Sequence, residues 1–360
     1  MSIIKALVYY GKEDLRLEDF PTPRIESGTE VIIKVHYAGV CGSELARIIG
    51  DAPIPLEHPV PHGHEFAGVV QEAGSRVTTV RPGDRVAVAP KTVCGICEDC
   101  RNDRVGQCAN TRGFIGVKLP GGWAEYCKVE EQNVVKLPDN VSTFAGAFLE
   151  PLTVAVHGLR VGEYTPGGRT AIVGCGTIGA LTLQAALAQG ASEVTAFDSS
   201  GRALALAKEM GAHFTVCTTG DWRAQAWEQT GGRLYDTVFE TGGAAFTEKA
   251  AIELTGAHGT LVYIGTPFSQ IVFSPQEFEQ INRKELWIRG SWQSYSTPFP
   301  GAEWPTAARL LPKIRLEGMV DRVIAPEKIF DALEDARAKR LHGKIMMRWD
   351  TAADPPPFAC

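Results

Sequence analysis

The sequence predicts an α/β protein in two parts, a β-rich N-terminal body followed by a doubly wound parallel sheet. Three observations carry that expectation. Up to about residue 150, short β-branched or aromatic runs (VIIKVHYAGVCG, FAGVVQEAG, DRVAVAP, AEYCKV) are separated by Gly and Pro, the punctuation of a strand-rich body. From about 157 the runs TAIVG, EVTAFD, HFTVC, YDTVFET and TLVYIG alternate with helical segments. Uninterrupted apolar runs suit strands buried on both faces, and the alternation is a βαβ series. Third, the first of these strands leads into a glycine turn that opens a helix.

Taken in order, the N-terminus carries Lys5, Lys12, Glu13 and Asp14 among its apolar residues, so a signal peptide is not expected there. In TIGALTLQAALAQG, Ile178, Leu181, Ala185 and Ala188 share one helical face and Gly190 is placed to stop the helix. RALALAKEMG and AFTEKAAIEL are the next helices, and ELWIRGSW is a further strand. WPTAARLLPKI and IFDALEDARAK read as a helical pair, and KIMMRW as a last strand. The Pro-rich end, 351–360, is expected to be a flexible tail.

A chain of 360 residues with 44% apolar and 22% charged residues has material for two cores. Its net charge of −6 argues against nucleic acid or an anionic membrane as partner. No apolar run reaches the length of a membrane span. Nine cysteines, an odd number, fit a reducing cytoplasm, so a cytoplasmic location is expected.

Cys94, Cys97, Cys100 and Cys108 form a Cys-x2-Cys-x2-Cys-x7-Cys run within 15 residues. Four thiolates at this spacing can close a tetrahedral shell around a structural Zn²⁺ with no position left for water. An iron–sulfur cluster uses the same ligand count, and a disulfide reading lacks an oxidising setting.

Gly174, Gly176 and Gly179 follow a strand and open a helix through Thr177 and Ile178, the context a dinucleotide turn requires. The glycines allow the tight turn, the approach of a pyrophosphate and close helix–strand packing. The next strand ends in Asp198, 24 residues beyond Gly174, where a carboxylate can accept from both ribose hydroxyls and repel a 2′-phosphate. NAD(H) is therefore expected over NADP(H), with Arg202 placed to stack on adenine. The alternative is a cofactor-free turn with Asp198 as a helix cap.

Cys41 in VCGSE, His64 and Glu65 in PHGHEF, and Glu150 in FLEP each have a plain structural explanation when taken singly. Together with the cysteine run, GGWAEY, FLEPLTVAVHG, VGCGTIG and GKIMM, they resemble the zinc-containing medium-chain alcohol and polyol dehydrogenases over nearly the whole chain. The resemblance implies a GroES-like β-barrel catalytic domain over 1–156 with a structural-zinc lobe at about 92–110. It also implies a Rossmann cofactor domain over 157–294 and a return to the barrel over 295–350. Two zinc ions per chain and NAD(H) are implied, with Cys41, His64 and Glu150 around the catalytic zinc and Glu65 as alternative ligand or neighbour. Three protein ligands leave one position open, and zinc there polarises an alcohol oxygen while hydride passes to the nicotinamide.

Ser43 matches the hydroxyl that passes the alcohol proton outward. Two departures stand out. Ala46 occupies the position of a relay histidine, leaving water, the cofactor ribose or a group such as His58 to carry the proton. Glu44 replaces the usual Asp that orients the zinc histidine.

CGSELARI, GFIGVKLPGGWAEY, FLEPLTVAVHGL and especially RKELWIRGSWQSYSTPFPGAEWPTAARLL are similar to the galactitol-1-phosphate 5-dehydrogenase group of the sorbitol-dehydrogenase-like branch. That likeness implies oxidation of galactitol 1-phosphate to tagatose 6-phosphate. Arg47, Lys118 and Arg283 are candidates for a phosphate, Lys118 first, and Trp292 and Tyr295 for the pocket lining. Rival readings are an unphosphorylated polyol or L-threonine dehydrogenase, a zinc-free quinone reductase and a zinc-ribbon binding protein. The exposed edge expected at ELWIRGSW suggests a homodimer or homotetramer.

Overall fold

The computed structural model describes residues 2–52 and 58–358. The chain divides into two compact units, one of residues 1–150, 295–312 and 316–360, the other of 151–294 and 313–315.

The first unit is a β body. Its long central strand, Glu30–Gly39, is buried along nearly its whole length. It pairs antiparallel with Phe66–Ala73, with Tyr126–Glu130 and with the last strand, Lys344–Arg348. Arg85–Val88 and Val134–Lys136 extend the sheet on one side, and Val320–Ile324 ends it on the other. Apolar residues at alternate positions (Val31, Ile33, Val35) point with Phe66, Val86, Val88, Trp123, Ile345 and Met347 into one core, as a period of two requires. An N-terminal hairpin, Ile3–Gly11 with Asp14–Pro21, adds a smaller sheet. It was absent from the sequence reading because charged residues interrupt its alternation.

The C-terminal segment departs from expectation. Of the expected flexible tail, 351–360, residues 351–358 are held against this unit and 359–360 lie outside the described residues. The Tyr37 hydroxyl donates to the Asp354 carbonyl at 2.7 Å, and Phe358 packs edge-on to Phe144 with ring centroids 5.5 Å apart. Composition predicted disorder, but an aromatic residue after the prolines gives the segment something to bury.

The second unit is a six-stranded parallel sheet in the spatial order 214–217, 193–198, 169–173, 235–240, 255–263, 287–290. The order reverses beside Arg169–Val173, which makes its carboxyl end the switch point where ligands bind in such sheets. The helix Thr177–Ala188 leaves that point, flat-packed and apolar on most sides. Gly190, at φ +92°, ends it. Gly190 N–H donates to the Leu187 carbonyl and Ala191 N–H to that of Ala186, the paired bonds of a left-handed C-terminal stop.

One buried carboxyl in this unit has a thermodynamic consequence. Burial, helped by the nearby charge of Glu240, pushes Glu248 up to about 7 from 4.5. Below about 4.5 the group is protonated in the folded and the unfolded chain alike. As pH rises toward 7 the unfolded chain ionises first, so stability falls across that window. Glu248→Gln is expected to raise the Tm at pH 8 more than at pH 4.5. Calorimetry at the two pH values checks this, and an equal change at both would show that Glu248 is ionised in the fold.

Candidate metal and cofactor sites

Cys41 caps the helix Gly42–Ile48, and the Glu44 side chain closes the cap from below by accepting from Cys41 N–H at 2.9 Å. The other oxygen of the same carboxylate takes the His64 backbone N–H at 3.2 Å and faces His64 Nδ1 at 2.9 Å. Glu44 is fully buried. It therefore fixes both the backbone and the ring of His64, leaving Nε2 as the outward nitrogen. The extra methylene that distinguishes Glu44 from aspartate does not cost the contact.

Gly63 sets the approach of this segment. Its φ is +92°, and an added Cβ would lie 2.1 Å from Trp123 Cδ1. Only glycine fits. Glu65 follows and is buried against Lys344, with which it forms an ion pair. Lys344 Nζ also donates to the Val40 carbonyl at 3.3 Å, next to Cys41.

Ligand atoms of Cys41, His64 and Glu65 all lie within 4.8 Å of one another. Among the described residues Glu150 stands outside this set, whereas the sequence reading placed it with Cys41 and His64 and gave Glu65 the secondary part. The physical reason is adjacency: Glu65 is carried in by the same buried turn as His64. Glu150, in the first turn of the helix Leu149–Val161, remains close enough to interact. Burial pushes its carboxyl up to about 7; His64 and Lys344 oppose the rise and Glu65 and Glu44 add to it. Burial alone would lower His64, but Glu44 and Cys41 outweigh it and hold the imidazole well above its ordinary value. A thiol, an imidazole and carboxylates gathered in a buried, predominantly anionic cluster suit a divalent cation.

Ser43 turns its hydroxyl to Cys41 Sγ at 3.3 Å. Ala46 offers no relay group, and His58 is exposed at the edge of the described segment.

The four cysteines of the lobe also converge, all Sγ atoms lying within 4.8 Å. Cys108 Sγ is 3.6 Å from Cys94 Sγ and 3.9 Å from Cys97 Sγ. A tetrahedron with Zn–S bonds of 2.3 Å has S–S edges of about 3.8 Å. The fit is close. Backbone N–H groups of Ile96 and Cys97 lower the Cys94 thiol to about 6, readying it as a thiolate.

In the parallel-sheet unit, Gly174 has φ +91°, and a Cβ on Gly179 would sit 2.0 Å from the Gly174 carbonyl oxygen. Around Gly176 nothing lies within 4 Å of the added Cβ, and no side chain caps the helix that begins at Thr177. Uncapped N–H groups of Thr177 and Ile178 beside an open cradle are what a pyrophosphate needs. Asp198 Oδ2 accepts from Cys175 N–H at 2.7 Å and Oδ1 from Ser200 N–H at 2.8 Å, which orients the carboxylate at the strand end. Arg202 is exposed in the next helix. Thr241, which the sequence reading missed, donates to the Gly174 carbonyl at 2.7 Å and pins the turn from the neighbouring strand.

The chain matches the family models of the alcohol dehydrogenase GroES-like domain over residues 27–139 and of the zinc-binding dehydrogenases over 177–313. It is 36% identical over 337 residues to galactitol 1-phosphate 5-dehydrogenase of Escherichia coli K12, covering 92% of this chain and 96% of that protein. The chain belongs to the zinc-containing medium-chain alcohol and polyol dehydrogenases. Sorbitol dehydrogenase of Rattus norvegicus is 31% identical over 357 residues, 96% of each chain. A crystal structure of galactitol-1-phosphate dehydrogenase from Escherichia coli superposes with a TM-score of 0.90 at 35% identity, covering 96% of this chain and 99% of that one. A zinc-binding dehydrogenase structure from Sinorhizobium meliloti 1021, bound to NADP, gives 0.84 at 30% identity, covering 97% of this chain and 100% of that one. The two parts of the protein are thus a GroES-like barrel and a Rossmann domain, and it is an oxidoreductase acting on CH–OH groups with zinc and a nicotinamide cofactor.

The candidate substrate residues separate. Lys118 is exposed on the turn after Phe114 and Arg47 is half-buried. Arg283 is spent on a surface pair with Glu279 at 2.7 Å. Trp292 is exposed, whereas Tyr295 is buried with its hydroxyl taken by Lys91 N–H at 3.1 Å.

Cys100→Ser should lower zinc content by about one ion per chain and the Tm by roughly 5–15 °C. Metal analysis and thermal melts on the same sample check both. Unchanged zinc would remove the lobe as a metal site.

Proposed function

We propose that the protein oxidises a secondary hydroxyl of a polyol phosphate with NAD⁺, the best candidate being galactitol 1-phosphate converted to tagatose 6-phosphate. Two zinc ions per chain are part of this reading, one in the cysteine lobe and one at Cys41 and His64 with Glu65 and Glu150 as the available carboxylates. The observation that carries it is the convergence of Cys41, His64 and Glu65 in a chain that aligns with the galactitol 1-phosphate enzyme over 92% of its length.

When bound, zinc supplies Lewis acidity to an alcohol oxygen and the nicotinamide accepts hydride. The residues of the chain do the rest. Glu44 holds Cys41 and His64 in one frame, and Lys344 pairs with Glu65 at its side. Ser43 Oγ is placed to receive the substrate hydroxyl proton, which leaves through water or the cofactor ribose because Ala46 has nothing to offer. Gly174, Gly176, Gly179, Thr177 and Ile178 take the pyrophosphate, and Asp198 the adenosine ribose, with Arg202 over the adenine. Lys118 is the cation proposed for the substrate phosphate. An unphosphorylated polyol is the second reading, favoured by the sorbitol dehydrogenase likeness and by the commitment of Arg283 to Glu279.

The strand Trp287–Gly290 forms one edge of the parallel sheet and exposes Trp287 and Ile288. Pairing of this edge across a two-fold axis would give a homo-oligomer.

The decisive experiment is a screen of galactitol 1-phosphate, galactitol, sorbitol and L-threonine with both cofactors, following NADH or NADPH formation. The expected result is the highest kcat/KM with galactitol 1-phosphate and NAD⁺. Lys118→Ala should then raise KM for the phosphorylated substrate about tenfold and leave that for galactitol nearly unchanged. Asp198→Ala is expected to lower kcat/KM for NAD⁺ by about 10–100-fold while affecting NADP⁺ far less. A wild-type preference for NADP⁺ would overturn the assignment of Asp198.

A further inference from the structure

The cysteine lobe is fastened to a distant segment of the same unit, residues 295–304. Thr297 N–H donates to Asp103 Oδ1 at 2.5 Å, and Thr297 Oγ1 donates to the carbonyl of Cys100 at 2.9 Å. The Tyr295 hydroxyl accepts Lys91 N–H, three residues ahead of the first lobe cysteine. The segment is firm within itself. Tyr295 stacks with Phe299 and Trp304, ring centroids 5.5 and 5.9 Å away, and Ser296 Oγ donates to Glu303 Oε2 at 2.6 Å. It behaves as a small rigid piece whose placement depends on what holds it from outside.

Lys91 strengthens the link. Its side chain is buried, with Nζ 5.0 Å from the centroid of the Phe114 ring. Burial lowers the ammonium from its ordinary value, and Cys108 and Cys100 oppose this in part. The backbone N–H of this buried residue is the donor to the Tyr295 hydroxyl, so the place of Lys91 and that of Tyr295 are tied together. Burial raises the Tyr295 phenol well above its ordinary value, and the charge of Glu150 adds to the rise.

We propose that the cysteine lobe is a specificity element as well as a staple of the fold: through Asp103, the Cys100 carbonyl and Lys91 it positions the segment 295–304 as the wall beside Glu150 against which the polyol chain is held. This rests on the dehydrogenase reading given above. Asp103 and Lys91 are positioning residues and touch neither substrate nor cofactor. A loosened wall weakens substrate binding and leaves the hydride step largely intact, so the effect belongs in KM.

The test uses the full-length zinc-loaded enzyme. Asp103 has φ +57°, where glycine is unstrained and asparagine tolerated. Asp103→Gly thus removes the acceptor without a backbone penalty, and Asp103→Asn keeps one. The double variant Asp103→Gly/Thr297→Val is expected to raise KM for the polyol substrate about tenfold, with kcat within about twofold of wild type and zinc content unchanged. Asp103→Asn should restore KM to near the wild-type value. Amide hydrogen exchange supplies a readout that needs no substrate: peptides covering 295–304 should exchange faster in the double variant. Unchanged exchange, or faster exchange with unchanged KM, overturns the proposal. So does a loss of activity that follows zinc loss. Wild-type enzyme inert to every polyol is a different failure, that of the dehydrogenase reading, and the exchange data still report whether the lobe holds the segment.

Discussion

One buried carboxylate, that of Glu44, sets the frame for the catalytic half of the molecule. Burying a charge is costly unless hydrogen bonds replace the lost water. Glu44 recovers that cost from Cys41 N–H, His64 N–H and the His64 ring. The arrangement ties a helix start to a turn 20 residues further on and orients a thiol and an imidazole toward the same point. Lys344 then supplies the cation that a buried Glu65 requires, and Gly63 leaves room for the indole that closes the floor. The local excess of acid over base is a poor way to stabilise an apo fold and a good way to hold a divalent ion.

The Rossmann half depends on a different device, the absence of atoms. Gly179 lets the helix touch the strand turn, Gly176 leaves an empty cradle, and the uncapped helix start points N–H groups into it. Thr241 keeps the turn from opening by bonding its carbonyl from the adjacent strand. Binding capacity here is bought with backbone left exposed, which a cofactor phosphate can satisfy better than water.

What could be read from the sequence follows how local each signal is. The parallel strands, the helix stop at Gly190, the glycine turn and the cysteine lobe all declare themselves within a few residues, through periodicity or ligand spacing. The convergence of Cys41 with His64 could be named only through family resemblance, since nothing in the spacing joins them. The approach of Glu65 to Cys41 and His64 was not legible, because it depends on how the fold turns that carboxylate. Lys344 and Thr241 gave no signal at all, being ordinary residues of a strand and a strand end. Trp292 and Tyr295 look alike in the sequence, yet one is exposed and the other buried. The tail misled for the opposite reason: its composition reads as solvent-loving while one phenylalanine near its end decides its place.

The partnership of Lys344 with Glu65 spans 279 residues, whereas the lobe cysteines close within 15. The lobe gathers all four of its sulfurs from one short stretch of chain. The second centre has its thiol, imidazole and carboxylate early, but its compensating lysine arrives only when translation is nearly finished. The charge balance of the Cys41–His64–Glu65 cluster therefore depends on the last strand of the chain joining the sheet.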